Sequence, residues 1–188
     1  MHQAHAHPTL TIFASDKGPG DAERSSIMSQ AGSYLARRGA RVLCLAERGT
    51  LPIPLITAVR AAGGDAAVVA DASIVLPPAL AGVPIEVISD RDQRLARIGG
   101  QTDAYIGLPG SLASASSLFA AWTAARQAGQ ARPVVLLNKN RAFEMMRGYA
   151  ADVLSHGLKG YDRVIQFADS VEDVWIRASR MIEERERG

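Results

Sequence analysis

The chain has 188 residues, 47% hydrophobic and 21% charged, a composition that suits a soluble globular domain and excludes a disordered chain. Lys and Arg number 21 against 19 Asp and Glu, so a formal charge of +2 gives no reason to expect nucleic acid, while a basic isoelectric point leaves room for a local anion site. No apolar run approaches the ~20 residues of a membrane span, the opening MHQAHAHPTL lacks the basic start and apolar stretch of a secretory signal, and a lone cysteine, Cys44, excludes an internal disulfide framework and a four-cysteine zinc site.

Short β-rich runs alternate with helical patterns. Thr9 to Ala14 predicts a strand, followed by the loop Ser15-Asp-Lys-Gly-Pro-Gly20. Asp21 is a good N-cap for a helix to about Arg38, stopped at Gly39. Arg41 to Ala46 predicts the second strand. A helix then starts near Pro52, where first-turn prolines are tolerated, and ends at Gly63-Gly64. Ala66 to Ala70 is the third strand, Asp71 to Gly82 an irregular connection, and Ile85 to Ile88 the fourth strand. Asp90 caps a helix to about Ile98, with Gly99-Gly100 ending it, and Ala104 to Leu108 is the fifth strand.

A small-residue loop, Pro109 to Ser114, leads into a long helix through Ala128. Pro133 to Leu137 is the sixth strand, about Ala142 to Ser155 a helix, and Arg163 to Phe167 the seventh strand. Ser170 with Asp173 resembles a capping box and opens the last helix. Strands that are apolar nearly throughout are buried on both faces, the mark of a parallel sheet covered by helices. The alternation predicts a three-layer, doubly wound α/β fold of Rossmann type with a mainly parallel sheet of about seven strands. Residues 1–8 read as a flexible N-terminus, and 9–188 as one domain of a cytoplasmic protein with no membrane or nucleic-acid partner.

Ligands of open parallel sheets sit beyond the C-terminal strand ends, where helix starts offer N–H groups to anions. Two loops there have suitable chemistry. Ser15 and Lys17 are donors in the first. The second, Pro109 to Ser117, is built of small residues whose backbone can approach a phosphate, and Ser111, Ser114, Ser116 and Ser117 add hydroxyls. The plainer reading of this second loop is a capped helix packed tightly on a sheet. Asp90 and Arg94 share a helix face, with an N-cap and surface ion pair as the plainer reading, and Arg91, Arg94 and Arg97 form a partly shared basic face.

Asp90-Arg-Asp-Gln-Arg94, then Thr102-Asp-Ala-Tyr-Ile-Gly-Leu-Pro-Gly110 and Leu118-Phe119, with Val134-Val-Leu-Leu-Asn138, resemble the lonely-guy (LOG) family over most of the chain. Its members, long mislabelled lysine decarboxylases, are typically phosphoribohydrolases that cleave nucleoside 5′-monophosphates. The resemblance implies a Rossmann-like fold, a ligand site around Pro109 and Gly110, Arg94 as the partner arginine of the catalytic pair, and a homodimer joined through helices near the site. The family loop Pro-Gly-Gly-x-Gly-Thr-x-x-Glu falls on Pro109 to Ser117. Ser111 and Ala113 replace glycines there, Ser114 replaces threonine, and Ser117 stands in place of the catalytic glutamate. A second family loop, Gly-Gly-Gly-x-x-Gly-Leu-Met-Gly, falls on Leu45 to Ile53, where only Leu51 stays in register.

Cleavage of an N-glycosidic bond passes through an oxocarbenium-like sugar that a carboxylate must stabilise, and serine cannot do this. The expectation is therefore a divergent LOG-like protein that binds a small phosphorylated or anionic ligand, such as a nucleotide, with little or no phosphoribohydrolase activity. Leu45 and Ile53 are expected to crowd a nucleotide, and Glu47 to repel its phosphate. One alternative is an active phosphoribohydrolase using a relocated acid, Asp90, Asp92, Asp16 or Glu47. Another is an interaction protein with a vestigial pocket. No cofactor is expected, and no metal site, since His2, His5 and His7 sit in the terminus. His156 is expected to cap helix carbonyls, Cys44 to be a core residue, Trp122 and Trp175 to pack in the core or an interface, and Phe143, Met145, Met146 and Tyr149 to form a packing helix.

Overall fold

The computed structural model describes residues 7–15, 21–157 and 160–188; His2, His5, Asp16 and Lys17 lie outside them. Seven strands, β1 (Thr9–Phe13), β2 (Arg41–Ala46), β3 (Ala66–Ala70), β4 (Ile85–Val87), β5 (Ala104–Gly107), β6 (Val134–Leu137) and β7 (Ile165–Ala168), pair in the order β4-β3-β2-β1-β5-β6-β7. Every pairing is parallel. The chain winds outward from β1 to β4, returns to place β5 on the other side of β1, and winds outward again. The strand order therefore reverses between β1 and β5.

The alternation of side chains explains the two helix layers. Leu10, Ile12, Val42, Cys44, Ala66, Val68, Ala104 and Ile106 face one cluster. Helices α1 (Asp21–Arg37), α2 (Ile53–Ala61) and, after β7, a long helix Val171–Arg187 fill it. Phe13, Leu43, Leu45, Ala67, Val69, Tyr105 and Leu136 face the other cluster, filled by α3 (Arg91–Gln101) and α4 (Leu112–Gln127). Helices α1 and α2 cross closely because Gly32 lacks a side chain: a Cβ there would lie 2.5 Å from Leu55 O. Thr11, buried in β1, is matched by Thr102 Oγ1 at 2.6 Å.

Several boundaries differ from expectation. Helix α3 runs through Gly99-Gly100 to Gln101. A Cβ on Gly99 would lie 3.7 Å from the Ala125 side chain, so the residue suits a helix packed on α4, and Thr102 Oγ1 donates to Ile98 O at 2.6 Å beside the helix end. Strand β4 is exposed along its length, because it is an edge strand that no helix covers on both faces. The helix expected over 142–155 is broken. Asn140 and Arg141 take positive φ after β6, and α5 (Glu144–Tyr149), a π-helical turn (Ala150–Leu154) and α6 (Ser155–Gly157) follow. Phe143 is buried, but Met145 is 91% exposed and Tyr149 is exposed, so only part of that group packs. Strand β7 starts at Ile165, because Tyr161–Arg163 forms a 3-10 turn.

The last helix, α7 (Val171–Arg187), has half of a capping box. Ser170 Oγ accepts from Asp173 N, while Asp173 turns its carboxylate to Asp169 N and Arg177. Trp122 is buried in the second cluster, and Trp175 packs against the first. His156 Nδ1 lies 2.5 Å from Asp152 O, and His7 Nδ1 lies 2.9 Å from Gly39 O. No helix among the described residues is long and apolar enough to cross a membrane.

Candidate functional site

Where strand order reverses, the loops after the two central strands part and leave a crevice beyond their C-terminal ends. Here the strand order reverses between β1 and β5, so the candidate crevice is the place where Ser15, after β1, meets Pro109 and Gly110, after β5. Ser15, next to β1, is buried, and its Oγ donates to Gly49 O at 3.3 Å. Pro109 is buried and Gly110 half-buried on the other side. A Cβ on Gly110 would lie 2.5 Å from Ser114 Oγ and 3.1 Å from Ser15 N. The two loops therefore touch only because position 110 is bare backbone.

The serines of the second loop divide by role. Ser111 is the N-cap of α4, and Ser111 and Ser114 close a reciprocal capping box. This box occupies two of the four N–H groups that a helix start offers an anion. Both hydroxyls therefore start the helix, as the plainer reading of this loop has it. Ser116 is exposed on the helix. Ser117 is buried and donates to Glu47 Oε2 at 2.9 Å.

Glu47 is placed by a tight turn at the end of β2. Glu47 N donates to Thr50 Oγ1, and Thr50 N donates to Glu47 O, both at 3.0 Å. Its carboxylate meets Arg94 Nη2 at 3.1 Å and Arg91 Nε at 3.2 Å. Arg94 reaches from α3 across three strand ends. Besides Glu47 after β2, its Nη1 lies 3.2 Å from Asp71 Oδ2 after β3, and donates at 2.7 Å to both Ile88 O and Ser89 O after β4. Arg94 is only 4% exposed, and burying its charge would be costly without such partners. Its Nε alone has no acceptor among the described residues.

The remaining acids and bases of α3 are arranged otherwise than expected. Asp90 is the N-cap, accepting from Gln93 N at 2.8 Å, and does not pair with Arg94. Asp92 is exposed in the first turn. Arg91 pairs with Glu47 and Arg97 with Glu86 at 2.8 Å, so the three arginines do not form a free basic face. Leu45 does not crowd a ligand. It is a β2 residue turned into the second core cluster. Ile53 lines a cavity of about 690 Å³ with Glu47, Gly49, Leu51, Ile74 and Val75, between the segments that follow β2 and β3.

Burial alone would raise the Glu47 carboxyl, but the hydrogen bonds from Ser117, Arg94 and Arg91, with the charge of Arg91, outweigh it and hold the group below its ordinary 4.5. Asp71 is likewise lowered, first by the Ser73 hydroxyl and amide and then by Arg94. Both carboxylates are ionised near neutral pH, so two positive and two negative side chains balance. Glu47 can accept hydrogen bonds or attract positive charge, and cannot serve as a general acid. Of the possible relocated acids among the described residues, Asp90, Asp92 and Glu47, the structure brings Glu47 to the arginine; Asp16 lies outside the described residues. Asp71 was missed, although an acid directly after an apolar strand is a readable signal.

A seven-stranded parallel sheet reversing at its centre, with helices on both faces and loops converging at that reversal, is a Rossmann-like three-layer α/β fold. Solved structures share it. The molybdenum cofactor carrier protein from Chlamydomonas reinhardtii is 15% identical, with 94% of this chain and 99% of that chain covered and a TM-score of 0.66. TM1055 is 21% identical over 94% of this chain and 99% of that one, with a TM-score of 0.61. A molybdenum cofactor binding protein from the phototrophic bacterium Rippkaea orientalis is 15% identical over 97% and 99%, at 0.63. No family model matches the sequence, and no curated protein matches it.

Proposed function

We propose that the chain is a divergent LOG-like protein that binds a small phosphorylated or anionic ligand at the β1–β5 crevice, with little or no phosphoribohydrolase activity. The observation that carries this reading is the contact between the two loops at Gly110 and Ser15, which leaves backbone and small side chains at the point of strand reversal. Ser15 and the start of α4 offer donors there, and Lys17, outside the described residues, is the cation that the sequence adds. The named cargo of the carrier proteins with this fold, the molybdenum cofactor, is itself a phosphorylated small molecule and belongs among the ligands to test.

Glu47 supports a second reading. Its carboxylate lies against Ser117, where the resemblance expects glutamate, as a relocated acid would require. Two guanidiniums within about 3 Å nevertheless oppose the positive charge that builds on a sugar during cleavage, so binding without turnover is favoured.

Calorimetry with phosphate, ribose 5-phosphate, AMP and molybdenum cofactor tests the first reading, and absence of binding to all four at about millimolar concentration refutes it. Base release from nucleoside monophosphates that disappears in Glu47→Gln establishes the second. Pairing of two copies through helices near the site belongs to the same proposal. Leu112 at the start of α4 is 87% exposed, consistent with that contact, and a monomer in light scattering refutes it.

A further inference from the structure

At the end of the sheet opposite the crevice, the chain enters β5, β6 and β7 through Thr102-Asp103, Arg132-Pro133 and Arg163-Val164. The last turns of α7 border, beside these entries, an open cavity of about 470 Å³. Arg132, Arg163, Arg185 and Glu184 line it, and Pro133, Val164 and Met181 give it an apolar side. Arg132 Nε donates to Thr102 O at 2.5 Å, which fixes the side chain, while its two terminal nitrogens meet no acceptor among the described residues. Arg185 donates to Asp103 O at 3.2 Å, with its other terminal nitrogen 3.6 Å from the Asp103 carboxylate. That carboxylate is also held by Thr9 N at 2.8 Å. Arg163 has no side-chain partner among the described residues. Glu184 is shared with Arg180 at 3.8 Å.

Positive charge is thus in excess. Arg132, Arg163 and Arg185 line the cavity against one lining carboxylate, Glu184, and one beside Arg185, Asp103. Burial lowers the Arg132 guanidinium from its ordinary range, and the charge of Arg185 adds to this against the opposing pull of Asp103. A bound oxyanion relieves that repulsion, and the guanidinium fork matches phosphate oxygens in pairs. The volume exceeds what a bare phosphate fills and falls in the range of small-molecule pockets, so an organic body has room against the apolar side.

We propose that this arginine-lined cavity at the N-terminal strand ends is a second ligand site, for a phosphorylated small molecule, separate from the β1–β5 crevice.

The test follows arginine Nε–Hε and backbone amide resonances during titration with inorganic phosphate and with ribose 5-phosphate, against sodium chloride at matched ionic strength. Expected are shifts at Arg132, Arg163 and Arg185 with both phosphates and not with chloride, tighter for the organic one. Arg163→Ala, at an exposed and unpartnered side chain, weakens the response at Arg132 and Arg185 by about tenfold, while any response at Ser15 and Gly110 is unchanged. Silence of Arg132 and Arg185 up to about 10 mM phosphate, an equal response to chloride, or an equal affinity in Arg163→Ala overturns the proposal. Arg163→Lys, which keeps the charge and loses the fork, recovers part of the affinity and serves if the alanine variant does not fold.

Discussion

Glu47 Oε2 accepts a 2.9 Å hydrogen bond from Ser117 Oγ across 70 positions of sequence. The pair links the turn after β2 to the second turn of α4, and it explains why position 117 holds a small hydroxyl. With the Glu47 carboxylate already seated there, a carboxylate at 117 would be a second like charge in a site that is 4% exposed. Ser117→Glu is therefore expected to destabilise the protein by about 2–4 kcal/mol. Ser117→Ala, which only removes a donor to an ionised group, should cost about 1–2 kcal/mol. Urea unfolding at neutral pH measures both, and a Ser117→Glu variant as stable as the wild type would show that the two acids can coexist.

Arg94 ties three strand ends together through Glu47, Asp71 and the carbonyls of Ile88 and Ser89. Arg94→Ala removes all four contacts and leaves buried acceptors behind, at an expected cost of about 3–5 kcal/mol. Arg94→Lys keeps the charge but cannot spread donors over four acceptors, so it recovers less than half of the loss. Both variants should unfold at lower urea without a change of slope. Full recovery by lysine would mean that charge, not the fork, matters.

The Glu47 carboxyl is lower in the folded protein than its ordinary 4.5, because the donors around it outweigh its burial. Such a group stabilises the fold fully above its unfolded value, and the contribution fades as the pH falls through the folded value. The stability gap between wild type and Glu47→Gln is thus expected to be constant from about pH 7 to about pH 5.5 and to narrow below about pH 4.5. Denaturation at several pH values measures it, and a gap that widens on acidification contradicts the assigned direction.

Strand positions and sheet type were legible in the sequence because buried parallel strands are apolar throughout, and Ala66–Ala70 matches residue for residue. Helix ends next to glycine were less so. Gly39 and Gly63 do mark stops with positive φ, but Gly99-Gly100 does not, since what decides there is contact with Ala125. The site was half legible. Loop chemistry pointed to Ser15 and Gly110, and the resemblance pointed to Arg94. The pairing of Glu47 with Ser117 and the role of Asp71 depend on strand order, which spacing along the chain does not encode.

Cys44 lies inside β2, fully buried, and burial pushes its thiol up to about 12. Little thiolate exists at neutral pH, so reaction with a disulfide reagent should wait for unfolding and report its rate. Labelling that runs faster than global unfolding would reveal local opening of the sheet.

Gly110 tests the crevice itself. A methyl group there meets Ser114 Oγ at 2.5 Å, which can turn away, and Ser15 N at 3.1 Å, which is backbone and cannot move without the β1 loop. Gly110→Ala is expected to cost about 1–3 kcal/mol by overpacking and to weaken phosphate-ligand binding by about tenfold or more, since a tenfold loss needs only about 1.4 kcal/mol. Adding Ser114→Ala relieves the first clash and surrenders half of the capping box, so it restores little stability and no binding. Calorimetry and urea unfolding of the single and double variants separate the two effects. A stable Gly110→Ala protein that binds as tightly as wild type would move the ligand away from the strand-reversal point.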